Sequence, residues 1–356
     1  MRNFFSVALI FSLLISAAGG SSAQSAGQGR ATISTAGAVK RSAPPSATKD
    51  ELVAMLPASD MIAVVDVGRA FNELLPKLAA FTVGGVDKLA KSIQDFTLKT
   101  GVDPSKIQNA VISLSMDGSQ GTGVVVIQGI DPNPQQIEAA MKEFGSEIKT
   151  SEYNGKTVYN VISKVKTPSA GPLSLKTDEV ALAALGRQRV VLGDLKAVKQ
   201  VIDIHSGAAK GGVSAAMAGA LNETRASALV RFALNIPENL RTEAASQGDL
   251  FKSVAAVKMI LGTFDVAGDF SLSLDAIIRT ASQNDATELE NGLKGLVSLG
   301  RDIFAGGDPK TNLFAQLLDQ VKIGSKISDV SLSINLPREI LDQLTKKETP
   351  APGDKK

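Results

Sequence analysis

The 356-residue chain has no cysteine, no tryptophan, two tyrosines and one histidine, His205. The lack of cysteine excludes disulfides, thiol chemistry, cysteine-held metals and a lipid-modified cysteine anchor. A single histidine cannot form the H-E-x-x-H zinc motif. The scarcity of Trp and Tyr argues against a lectin-like or aromatic-cage surface, which uses those rings as rigid platforms with a polar edge. Phosphate loops of the G-x-x-x-x-G-K-[ST] or G-x-G-x-x-G kind are missing, as are a G-x-S-x-G elbow and an S-x-x-K motif with its partners. After the N-terminus no segment is apolar enough to span a bilayer, which takes about 20 residues. A basic body fit for nucleic acid is missing too.

The N-terminus has what the remainder lacks. Arg2 precedes a nearly uncharged apolar run from Phe4 to Ala18, followed by Ser21-Ser22-Ala23. This predicts a secretory signal peptide over 1–23, cleaved near Ala23 to leave Gln24 first. The expected location is periplasmic or secreted, and the expected mature chain is soluble. The alternative is a retained apolar anchor. Net charge is +2. Residues 24–49 carry four cations and no acid, and 346–356 carry four lysines against Glu348 and Asp354. The body is therefore mildly acidic between basic, solvated tails. At 44% hydrophobic it can bury a substantial core without disulfides.

Composition and periodicity divide the chain into a linker (24–49), a first half (50–207), a connector (208–224), a second half (225–345) and a tail (346–356). MIAVVDV reads as a buried strand, followed by helical spacing interrupted at Pro76. Two strands flank the turn at 117–121. DPNPQQIEAAMKEFG is a helix with Pro134 in its first turn. Asn154-Gly155 marks a hairpin. Two short strands flank Gly186. The second half repeats the order from ALVRFALNIPENL, through a hairpin over 257–279 and a helix over 284–300, to an alternating strand over 327–337. In that helix Leu289, Leu293 and Leu296 share a face. The expected fold class is α+β: two similar halves of mostly antiparallel sheet with helices packed on one face. Halves of this kind could form a cleft between them.

Four features invite chemistry. In RVVLGDLKAVKQVIDIHSG an apolar run meets Gly193 and then a helix. Asp194 would repel a phosphate but suits an N-cap. Leu195, Val198 and Ile202 form the expected buried stripe, with Lys196 and Lys199 on the solvated side. His205 lies in the last turn, where partial protonation would favour the dipole's negative end. Asp265, Asp269 and Asp275 lack calcium-loop spacing and read as turn or strand residues. Tyr153 and Tyr159 could stack across their hairpin or form a small contact patch. No catalytic, cofactor-binding or metal residue is assigned, and no cofactor is expected.

Taken together, ELVAMLPASDMIAVVDVGRAFNELLP, IEAAMKEFG…YNGKTVYNV and RVVLGDLKAVKQVID resemble a loose group of uncharacterised exported bacterial proteins. The resemblance spans 50–207. It implies an exported α+β protein and transfers no functional residue. The expected function is non-enzymatic: binding an unidentified protein or envelope partner, or a structural role in the envelope, without nucleic acid or a membrane span. The alternative is a hydrolase-type enzyme whose site assembles only in the fold.

Overall fold

The computed structural model describes residues 47–76, 85–117, 120–144, 147–162, 174–175, 179–246, 255–304 and 309–340. The expected signal peptide, most of the linker and the tail lie outside them. The chain is α+β, and the strand registers given below are all antiparallel.

The elements in chain order begin with α1 (Ala47–Ala54), β1 (Met61–Val65), a helical turn with a π segment (Ala70–Leu74) and α2 (Gly85–Thr100). Next come β2 (Asn109–Asp117), β3 (Gln120–Gln128), α3 (Pro134–Phe144), β4 (Glu147–Tyr153), β5 (Lys156–Ile162) and β6 (Ser174–Leu175). They continue with β7 (Glu179–Gly186), β8 (Arg189–Gly193), α4 (Leu195–Ser206), α5 (Ala215–Glu223), β9 (Val230–Asn235) and α6 (Glu238–Ser246). The last are β10 (Val257–Val266), β11 (Leu272–Thr280), α7 (Gln283–Phe304), α8 (Pro309–Asp319), β12 (Val321–Lys326) and β13 (Asp329–Leu336). Two compact units result. The first takes the chain to Pro57, then Gly68–Val111 and Val124–Gly211; the second takes Ala58–Val67, Ile112–Gly123 and everything from Gly212.

In the first unit the strand order is β3-β8-β7-β5-β4. Helix α3 starts with a reciprocal capping box. The Gln136 N–H donates to Asn133 Oδ1, and the Asn133 N–H donates to Gln136 Oε1, both at 2.9 Å. Ile137 and Met141 then pack on Tyr159, Val161, Leu182 and Val190. On the other side of the same strands, Val158, Ala181, Ala183 and Val191 are also fully buried. There α4 packs on β7 and β8. So β7 is covered on both faces, which is why its run VALAAL has no polar alternation.

Helix α4 is built as its residue types require. The Asp194 carboxylate accepts from the N–H groups of Lys196 (2.9 Å) and Ala197 (3.3 Å), and Gly207 closes the helix in the left-handed region. The buried stripe is Ala197, Val198, Val201 and Ile202, while Leu195 is only half-buried. The Asn154-Gly155 turn is present, with φ of 45° and 69°.

In the second unit the order is β12-β13-β11-β10-β9-β1. Val257, Ala286, Leu289 and Val330 form a core that joins α7 to one face of this sheet, with Ile260, Ile278 and Leu293 beside it. Leu296, expected on that buried face, is 54% exposed and aligns with exposed Leu299 and Ile303 instead. Helix α5 packs on β9 and β10.

Replacing Asp194 by Ala should cost about 1 kcal/mol in urea unfolding, while Asp194→Asn, itself a good cap, should cost much less. Equal losses for the two variants would contradict the cap.

Candidate functional site

Antiparallel register fixes which side chains share a sheet face. In the second unit Leu261 pairs Ile277, and Ile277 pairs Ser331; Thr263 pairs Asp275, and Asp275 pairs Ser333. Two cross-strand rows therefore run over β10, β11 and β13. They extend back through Ala233 to Ile62 and through Arg231 to Val64. Along each row burial fades. Ile62, Ala233 and Leu261 are fully buried, Ile277 is half-buried and Ser331 is exposed. Val64, Arg231 and Thr263 are buried, but Asp275 is exposed.

A cavity of about 270 Å³ opens where burial gives out. Its floor is Leu261, Thr263, Asp275, Ile277, Ser331 and Ser333, and its end wall is Glu223, Thr224 and Arg225 at the C-terminus of α5. Two ion pairs tie that wall to the sheet. Arg279 grips Glu223 with both terminal nitrogens and holds Asp329 at 3.4 Å through Nε. Arg225 Nη2 lies 3.2 Å from Asp265 Oδ2. The Arg279 hydrogen bond holds the Glu223 carboxyl below its ordinary range, and the same contact raises Arg279. Inside the trough, Ser333 Oγ donates to Asp275 Oδ1 at 2.7 Å.

The first unit carries a more open groove of about 520 Å³ beside α4, lined by Tyr153, Asp194, Leu195, Lys196, Lys199, Gln200 and Asp203. Asp203 accepts from Tyr153 OH (2.9 Å) and from Asn154 Nδ2 (2.5 Å), which ties the hairpin tip to the helix. That bond raises the Tyr153 pKa. Lys199 Nζ sits 5.0 Å from the Tyr153 ring centroid, so it is less free than a purely solvated lysine. Leu195 and the Tyr153 ring give this groove its apolar surface.

The expected stacking of Tyr153 on Tyr159 does not occur. Tyr159 pairs Thr150 and Tyr153 pairs Lys156, which puts the two rings on opposite faces. Tyr159 is buried against α3. His205 Nε2 lies 3.0 Å from the Leu185 carbonyl, which also accepts from Lys156 Nζ at 2.9 Å. Burial lowers the His205 pKa, and Lys156, Arg189 and Arg187 add to the effect, against the opposing Leu185 bond. Nε2 donates to that carbonyl, and burial disfavours the partly charged imidazole expected from its place at the helix end. Asp269 accepts from the Ser271 N–H and hydroxyl, as its turn position implied. Asp265 also receives the Leu229 N–H. Asp275 alone of the three faces the trough. The signal for it was an aspartate in the middle of a strand, where that residue type is disfavoured. Among the described residues no group of three or more His, Asp or Glu is placed to hold a metal ion, and no helix is long and apolar enough to cross a membrane.

No protein-family model and no curated protein matches the chain. Among solved structures, crystal forms I and III of TP0453 are similar at a TM-score of 0.41 and 10% identity. The alignments cover 84% and 83% of this chain and 97% of the TP0453 chain.

The His205 pKa carries a pH prediction. A histidine depressed in the folded state is protonated first in the unfolded state, so stability is intact above the unfolded value of about 6.5 and falls as pH drops below it. The urea midpoint of the parent should drop more between about pH 7.5 and 5.5 than that of His205→Gln. Parallel profiles would contradict the assignment.

Proposed function

We propose that the chain is a non-enzymatic binding protein, exported to the bacterial envelope, whose ligand site is the trough of the second unit. The trough itself carries this reading. It has an apolar floor at Leu261 and Ile277, a polar flank at Thr263, Asp275 and Ser333, and a charged end wall already neutralised by Arg279 and Asp265. Pockets that bind small molecules combine those features. The volume decides the scale: about 270 Å³ lies just under the usual range for drug-sized ligands, which points to a small occupant.

The carboxylates support binding over catalysis. Asp60 accepts from the Met116 N–H, Asp194 caps a helix, Asp203 ties a hairpin and Glu223 is held by Arg279. Each is engaged in holding structure. Export rests on the signal-like N-terminus, and it agrees with the resemblance of 50–207 to exported bacterial proteins. The recurring order of strand, helix, hairpin, helix and closing hairpin supports descent of the two halves from one duplicated unit.

The test is protein-observed NMR with n-butanol, an uncharged aliphatic probe, on the full mature chain. Shifts should concentrate at Leu261, Thr263 and Ile277, and Ser331→Phe, which fills an exposed floor position, should abolish them without lowering stability. Shifts scattered elsewhere, or unchanged by the substitution, would overturn the assignment.

A further inference from the structure

We infer that the trough selects a small cationic ligand, one with an ammonium or similar donor group on a short aliphatic body. This rests on the trough being the ligand site.

The two rows differ in chemistry across one strand spacing. The first presents Leu261 and Ile277, an apolar strip ending at Ser331; the second presents Thr263, Asp275 and Ser333. A bound molecule can therefore lie on carbon along the first row while its polar end reaches the second. The charges sort the polar end. The trough's arginine, Arg225, is engaged by Asp265, and Glu223 is engaged by Arg279. Asp275 receives a neutral hydroxyl from Ser333, and among the described residues no ion pair is made to it. Its carboxylate is exposed and lines the cavity. A cation there gains a partner without displacing one, while an anion meets repulsion.

Among the other charges on this face, Arg231 is buried in the same row two strands from Asp275 and is itself engaged. Lys322 pairs Ser333 and continues the second row on β12. It is exposed and two strands from Asp275, roughly 10 Å, where physiological salt screens most of its effect. Arg279 is bonded to Glu223 and Asp329 at the trough's end. The size limit follows from volume. At about 30 Å³ per water the cavity holds the equivalent of about nine waters, which suits an ammonium on a few carbons.

Three probes of one shape test the inference: n-butylamine, n-butanol and butyrate, titrated into the full mature chain by NMR. Butylamine should bind about three- to fivefold more tightly than butanol, the size of one partly exposed ion pair, and butyrate more weakly than either. Asp275→Asn keeps an acceptor for Ser333 but loses the charge. It should bring butylamine level with butanol measured on the same variant, and an unchanged urea midpoint shows that the variant folds. If butanol binds in the trough but butylamine gains nothing, or its gain survives Asp275→Asn, the cationic preference is wrong and the trough stands. If none of the three probes shifts trough residues, the trough itself is wrong.

Discussion

A methyl group added at Gly262 would lie 2.4 Å from the Asp275 carbonyl oxygen and 2.9 Å from Phe232 Cζ. The backbone contact is not tolerable and the ring would have to move, so β10 approaches β11 as closely as it does because position 262 has no side chain. Around that contact the ladder fixes Gly262 against Ala276, and with it both rows of the trough. A slip of one residue would turn Thr263 and Asp275 toward the α7 core and send Ile260 and Ile278 to the open face. The hydrophobic core under α7 and the polar trough are therefore two consequences of one register. Each opposes the slip that would exchange them.

The wall depends on a second layer of interaction. Helix α5 is short and would be marginal alone, since isolated helices of this length do not persist in water. It is held by burial of Met217, Ala220 and Leu221 and by ion pairs at its C-terminal end. Those pairs are partly exposed, so their individual contribution is small, about 1 kcal/mol or less. What they supply is placement. They set Glu223, Thr224 and Arg225 at the margin where the rows pass from buried to exposed, and they neutralise the wall's charges so that Asp275 dominates the interior.

Locally encoded features were legible in the sequence. Asp194 and the Asn154-Gly155 turn act through neighbours within a few residues, and each is found where composition placed it. The antiparallel α+β class followed from the alternation of short strands with periodic helices. Features that need a distant partner were not legible. Helix α5 lies within 208–224, read as a connector; its Ser214 cap is visible only once the helix is known. Strand β12, VKIGSK, is short and half polar, and it exists because β13 pairs it. The burial of His205 and its contact with the Leu185 carbonyl join residues 20 positions apart. The trough required the pairing of three strands, and no single segment contains it.

The register around Gly262 is tested most directly by urea unfolding of Gly262→Ala beside Gly268→Ala. Gly268 lies in the turn of the same hairpin, and an added methyl there meets nothing within 4 Å. Gly262→Ala should lose about 1–3 kcal/mol through overpacking, with Gly268→Ala within about 0.5 kcal/mol of the parent. Equal midpoints for the two variants would show that the close approach at Gly262 does not set the register, and the account of the trough would fail with it.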